Sequence, residues 1–132
     1  MKMEGFAHIG LFVNDIERSL KFYTEKLNFK LIWESVNQCD DGDVLVKFIQ
    51  NGDSVIELVQ FPKPIQRGDG WFDHIAMNVE DIDAVIAELE KKGIAFEEGS
   101  YTHAPQTFEK GSKWVMFRGP DNEHLELNER LK

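Results

Sequence analysis

The sequence is poor in cysteine, in positive charge and in long apolar runs. Cys39 is its only cysteine, which excludes an internal disulfide and a thiolate-bound metal cluster. Lys and Arg number 15 against 24 Asp and Glu, a formal net charge of −9. That balance opposes nonspecific contact with nucleic acid or an anionic membrane, both of which want a basic face. No stretch approaches the roughly 18 apolar residues of a membrane span. The first residues, Met1 to Phe6, carry no apolar signal core. A cytoplasmic protein with no nucleic-acid and no membrane partner is expected. At 132 residues the chain suits one compact domain with its own hydrophobic core.

What the chain does contain is a phrase said twice. His8-Ile9-Gly10-Leu11-Phe12-Val13-Asn14-Asp15-Ile16 recurs as His74-Ile75-Ala76-Met77-Asn78-Val79-Glu80-Asp81-Ile82, identical at five of nine positions. Some fifty residues after each copy an apolar strand carries one carboxylate, in Ile56-Glu57-Leu58 and in Leu125-Glu126-Leu127. Two copies give two His and two Glu, the nitrogen and oxygen donors that a divalent metal accepts while keeping positions open for a substrate.

Alternation predicts a strand from Phe6 to Val13. Asn14 or Asp15 should cap a helix, with Glu17 three after Asn14 as in a capping box and Ile16, Leu20, Tyr23 and Leu27 as its apolar stripe. Strands follow at 30–36, 44–49 and 54–61, framed by the Asp40-Asp41-Gly42-Asp43 and Asn51-Gly52-Asp53 turns. Pro62 to Gly70 breaks all periodicity and reads as a linker. The second half repeats the order: a strand over 71–79, a helix from Asp81 to Gly93, and strands at 94–98, 113–117 and 124–128. The stretch 99–111 reads as an irregular loop, either a lid or a plain connection. The fold class is therefore α+β, two tandem βαβββ modules forming curved mixed sheets around a metal-binding cavity. One domain spans 1–132, with module one at about 5–61, a linker at about 62–70 and module two at about 71–129. By the period of two, His8, Glu57, His74 and Glu126 each select one strand face. Phe6, Phe12, Val59, Phe61, Phe72, Asn78, His124 and Asn128 share those faces.

A βαβββ tandem with one His on the first strand and one Glu on the fourth strand of each half resembles the vicinal oxygen chelate superfamily. The resemblance rests on the two His-Ile repeats, on Ile56-Glu57-Leu58, and on the Gly119-Pro120-Asp121-Asn122 turn before Leu125-Glu126-Leu127. Having Glu57 as a second carboxylate makes the chain similar to glyoxalase I and methylmalonyl-CoA epimerase. The resemblance implies that His8, Glu57, His74 and Glu126 bind one divalent ion per site (Ni, Co, Zn or Mn). It implies a lyase or isomerase that moves a proton next to the chelated carbonyl of a small α-oxygenated substrate, through enediolate or enolate chemistry. Glu126 is then the first choice for the carboxylate that transfers the proton, and Glu57 the second. A homodimer is implied too.

Two positions depart from glyoxalase I, where an Arg four residues after the first His and an Asn four after the first Glu contact glutathione. Phe12 and Phe61 stand there, so an anionic thiol would lack its partner and the enzyme should not be optimised for glutathione. Phe12, Phe61, Phe72, Asn78 and His124 are the expected substrate pocket. Alternatives are an epimerase, a dioxygenase-type or resistance-type member in which Glu57 binds no metal, and a non-enzymatic bleomycin-resistance-type binding protein with an aromatic cavity.

Overall fold

A computed structural model describes residues 1–132 and divides into two compact units, Met1–Arg67 and Gly68–Lys132. The break falls inside the stretch read as a linker. The first unit contains β1 (Ile9–Phe12), α1 (Ile16–Lys26), β2 (Lys30–Cys39), β3 (Gly42–Asn51) and β4 (Ser54–Gln60). The second contains β5 (Ile75–Asn78), α2 (Ile82–Lys91), β6 (Thr102–Ala104), β7 (Ser112–Arg118) and β8 (His124–Arg130). Each unit holds one four-stranded sheet, in the orders β1-β4-β3-β2 and β5-β8-β7-β6. The first strand of each pairs parallel with the fourth, and the remaining pairs are antiparallel. Both sheets are thus mixed, and the order is βαβββ twice, an α+β fold.

Local chemistry fixes these elements. Asp15 and Asp81 cap the two helices, their carboxylates accepting from the backbone N–H of Arg18 and Ala84 at 3.1 and 3.2 Å. Asn14 is not the cap, because its side chain is engaged elsewhere (below). Asn28 ends α1 with φ of 61°, the left-handed conformation that Asn tolerates after a helix. Gly52 takes φ of 58° in the two-residue β3–β4 turn, where a hairpin of this length needs a positive φ. Helix α1 buries Ile16, Ser19 and Tyr23. Ile49, Ile56 and Leu58 form the buried sheet face that alternation turns toward the helix, each such side chain contributing about 1.5–3 kcal/mol.

A second repeat ties each helix to its sheet. Ile16 N–H donates to Gln60 Oε1 at 2.7 Å, and Ile82 N–H donates to Glu129 Oε1 at 2.9 Å. Gln60 and Glu129 each stand three residues after the strand glutamate, so one strand presents its carboxylate to one face and anchors a helix N-terminus with a polar side chain on the other.

Several expected boundaries shift. The first strands are shorter than alternation suggests, starting at Ile9 and Ile75 instead of Phe6 and Trp71. Parallel pairing begins at Ile9 beside Ile56 and at Ile75 beside Leu125, so the alternating pattern runs on into residues that do not pair. Phe6, Trp71 and Phe72 are in consequence almost fully exposed in this chain. Residues 94–98 form no strand; a single bridge joins Phe96 to Phe117. The sheet edge is completed instead by β6, inside the stretch read as an irregular loop. Ser100 Oγ accepts from Met116 N–H at 3.0 Å, and Leu131 N–H donates to Gly111 O at 3.0 Å. Both ends of the stretch are therefore fastened to the sheet, and its part 102–104 is a strand where an irregular loop was expected.

Replacing Glu129 by Ala should strand the half-buried Ile82 N–H and lower stability by about 1–3 kcal/mol. Urea unfolding followed by circular dichroism measures this, and an unchanged midpoint would show that water replaces the tie.

Candidate functional site

Parallel pairing brings each histidine to its glutamate. The register sets Gly10 beside Glu57 and Ala76 beside Glu126; His8 and His74 lie two residues earlier and therefore on the same faces. His8 Nε2 stands 3.4 Å from Glu57 Oε1, and His74 Nε2 stands 3.4 Å from Glu126 Oε1. Two donors each about 2.1 Å from one ion, at a roughly tetrahedral angle, lie about 3.4 Å apart. Each His–Glu pair accordingly fits two positions of a divalent-metal shell, within its own unit.

The surroundings of the two pairs differ. In the first unit the face shared with Glu57 is apolar. Val44, Val46 and Val59 form a buried cluster with Phe48 and Phe61 against it. The Phe48 ring meets His8 edge-on at 5.3 Å, and Phe12 meets Phe61 likewise at 5.3 Å. In the second unit the corresponding face is polar and internally bonded. Ser112 Oγ donates to Asn128 Oδ1 at 3.0 Å, leaving the Asn128 amide to donate to Glu126 Oε2 at 2.9 Å. Ser112 is fully buried and Glu126 is 8% exposed, so this carboxylate is held in place. Asp73 Oδ2 lies 2.9 Å from His74 Nδ1. An ionised carboxylate can only accept, so Nδ1 is the donor of this bond, and the ring is held with Nε2 turned toward Glu126. That same hydrogen bond keeps the Asp73 carboxyl below its ordinary range.

Asp69, Asp73 and His124 also place one donor atom each within 4.8 Å of one another. Their partners argue against a metal ion there. Arg118 forks onto Asp69 with Nη1 and Nη2 at 2.6 and 3.0 Å and donates from Nε to Glu97 at 3.0 Å. The guanidinium already supplies the positive charge an ion would bring. His124 stands within this cluster, 3.4 Å from Asp73 and 3.2 Å from Glu97. Its alternation with Glu126 holds, but its ring faces carboxylates of this network.

Of the expected pocket residues, Phe12 and Phe61 meet as described. Asn78 pairs in register with Asn128 on the His74 face. Phe72 lies outside β5 and exposed, so its placement on a strand face is corrected. Arg67, in the presumed linker, stacks its guanidinium over Phe12 at 4.5 Å from the ring centre. The expectation that an anion beside Phe12 meets no cation is corrected by this residue. The segment is fastened by Asn14, whose side chain donates to Ile65 O and accepts from Ile65 N–H, both at 2.9 Å. Sequence reasoning missed Arg67 because nothing periodic marks the segment. It missed Asp73 too, although the repeat differs at that place, Ala7-His8 against Asp73-His74.

Comparison with known proteins agrees with this layout. Residues 5–127 match the model of the Glyoxalase/Bleomycin resistance protein/Dioxygenase superfamily, and the chain belongs to that superfamily. It is 33% identical to the uncharacterized Bacillus subtilis (strain 168) protein YwkD, over 98% of this chain and all of that one. A Vibrio parahaemolyticus protein described as "Probable lactoylglutathione lyase" is 29% identical over 91% of this chain and 86% of its own. In fold the chain is similar to the fosfomycin resistance protein FosX of Listeria monocytogenes complexed with Mn(II) and sulfate, with a TM-score of 0.71 and 18% identity. That match covers 98% of this chain and 95% of FosX.

The Arg118 fork holds the Asp69 carboxyl below its ordinary value of 3.8. A carboxyl depressed by folding adds stability above that value, and the contribution is lost as pH falls through the folded value. Arg118→Met should therefore make the loss of stability below about pH 3.8 shallower. Thermal unfolding between roughly pH 2 and 6 reads the slope; an unaltered acid limb would mean that the fork is not kept in solution.

Proposed function

We propose that the protein is a divalent-metal-dependent enzyme of glyoxalase type, moving a proton next to the carbonyl of a small α-oxygenated substrate. The observation that carries this reading is the duplicated His–Glu pair, with Nε2 and Oε1 at 3.4 Å in both units. His8, Glu57, His74 and Glu126 would hold the ion, the two pairs coming from one chain or from the paired chains of a dimer, so that both modules serve one domain. A bound Ni, Co, Zn or Mn ion supplies Lewis acidity to the carbonyl oxygen, making the neighbouring C–H acidic. A carboxylate of the set, Glu126 or Glu57, takes the proton and returns it. For a lyase or isomerase it returns to the adjacent carbon, and for an epimerase to the opposite side of the same carbon. No oxidant is required.

Substrate choice follows from the first unit. Phe48, Val46, Val59 and the Phe12–Phe61 pair favour an apolar body, while Arg67 over Phe12 offers an exposed cation to an anionic end. We expect a substrate less polar than a glutathione adduct, with Arg67 offsetting only part of that disadvantage. The test is a screen of 2-oxoaldehydes with several thiols, and of acyl-CoA epimers. Activity should vanish on chelation and return with added metal. The glutathione hemithioacetal should be turned over at least about tenfold less efficiently than that of a small neutral thiol. Arg67→Ala should lower kcat/KM for the anionic adduct about two- to fivefold and leave the neutral one unchanged, as suits an exposed charge pair. Glutathione as the best thiol would overturn the substrate reading. A metal-free protein that still binds apolar ligands would make it a binding module instead.

A homodimer is part of this proposal. Edge strand β2 exposes Ile32, Trp33 and Val36, Trp33 at 66%, a surface and an open edge that a second copy can cover. Light scattering should give about twice the 15.3 kDa chain mass; the single-chain mass in an active preparation would count against it.

A further inference from the structure

The second unit holds a strained loop that the His74–Glu126 pair does not require. Phe108 takes φ of 63°, a left-handed conformation that a bulky side chain rarely adopts and that costs free energy. Gly111 takes φ of 94°, and a Cβ added there would lie 3.1 Å from Pro105 Cα and 3.2 Å from Ala104 O. The backbone thus closes on itself at a place that needs glycine. Thr107 N–H donates to Ala104 O at 3.2 Å and Leu131 N–H donates to Gly111 O at 3.0 Å, which fixes both the loop and the chain just after Arg130. This geometry produces one contact: the Arg130 guanidinium lies over the Phe108 ring, 4.5 Å from its centre. The Phe108 residue stays 51% exposed, so apolar burial does not explain why the strain persists.

Arg130 differs from Arg118, whose fork is closed by Asp69 and Glu97. No carboxylate pairs with Arg130, not even Glu109 beside Phe108, so its N–H fork stays open while the ring sets its plane. Arg130 stands opposite Ser112 in the β7–β8 register, on the β8 face that carries Glu126 and Asn128. It lies four residues beyond Glu126, about 13 Å along the strand. A chain of net charge −9 repels anions as a whole, so an anion that binds it needs a local arrangement of this kind. Lys110 adds a second cation to the same loop. We propose that the Phe108–Arg130 stack is an oxyanion site, taking the phosphate or carboxylate group of a small molecule on the guanidinium fork. Stacking holds the guanidinium so that two parallel N–H groups meet two oxygens. The loop keeps its strain because relaxing Phe108 would withdraw the ring from beneath the cation. This site does not depend on the proposed metal chemistry, since the group it takes stands about 13 Å from Glu126.

The experiment adds inorganic phosphate, methyl phosphate or acetate to the full chain and follows the Arg130 Nε–H and residue 108 amide signals by NMR, with NaCl at matched ionic strength as the control. The unaltered protein is compared with Arg130→Gln, Phe108→Ala and Phe108→Gly. The oxyanions should shift both signals saturably, with a Kd on the order of 1 mM, and NaCl should not. Methyl phosphate bound as well as inorganic phosphate would assign the site to the tail of a larger molecule; inorganic phosphate bound and methyl phosphate refused would assign it to the free ion. Arg130→Gln should weaken binding at least about tenfold, the loss of a charge-assisted fork. Both Phe108 variants should weaken it about two- to fivefold, the size of an exposed cation–π contact. Phe108→Gly should nonetheless melt above Phe108→Ala by about 2–6 °C, because glycine meets no steric penalty at a positive φ. Shifts that NaCl reproduces, or that Arg130→Gln keeps, would overturn the site. Unchanged affinity in both Phe108 variants would overturn the role of the loop, and equal melting of the two would overturn the strain. None of these measurements uses a metal or turnover, so failure of the site and failure of the proposed function are told apart.

Discussion

Everything at the candidate site depends on the parallel pairing of the first strand with the fourth in each module. An antiparallel neighbour can be reached by a short turn, but a parallel one needs a crossover. Here the crossover consists of a helix and two further strands, and it brings residues some fifty apart in the chain into register. Ile9 to Phe12 lie along Ile56 to Val59, and Ile75 to Asn78 along Leu125 to Asn128. The consequence is a histidine at the strand start and a glutamate across from it, on one face. The opposite faces are spent on the core, through Leu58 and Ile56 in one sheet and Leu125 and Leu127 in the other. A slip of one residue would turn His and Glu into the core and leucines outward, so the apolar alternation that builds the core also fixes the site.

Duplication then allowed divergence. The positions that hold the fold are the same in both modules: an Asp helix cap, a polar side chain three after the glutamate tied to the helix N-terminus, and the buried Ile at the first turn. The positions on the other face differ. One module surrounds its pair with Phe48, Val46 and Val59, the other with Ser112, Asn128 and the ionic cluster of Arg118, Asp69, Glu97 and His124. The first pair thus stands among apolar walls and the second among oriented polar groups.

The sequence conveyed the module order, both helices and the two His–Glu pairs that the register brings together, because each of these is written as a period or a repeat. His8 and His74 are found by comparing the halves, and Glu57 and Glu126 by a charge inside an apolar strand. It did not convey where β1 and β5 begin, because the alternation read from Phe6 and from Trp71 runs past the residues that pair with β4 and β8. The short edge strand β6 was hidden because its three residues carry no alternating pattern, and pairing with β7 defines it. Arg67 and Asn14 were hidden for another reason: their contacts join distant positions through irregular backbone. Asp73 was visible as a difference between the copies, but its role appears only once the His74 ring is seen to point Nδ1 at it.

The central claim is that both histidines and both glutamates serve one ion. X-ray absorption on the Co²⁺-loaded protein, with metal content measured on the same sample, tests this most directly. The account predicts one ion per chain, two imidazoles and otherwise oxygen donors, at about 2.0–2.2 Å. An ion with a single imidazole, as the Asp69–Asp73–His124 cluster would give, would contradict it.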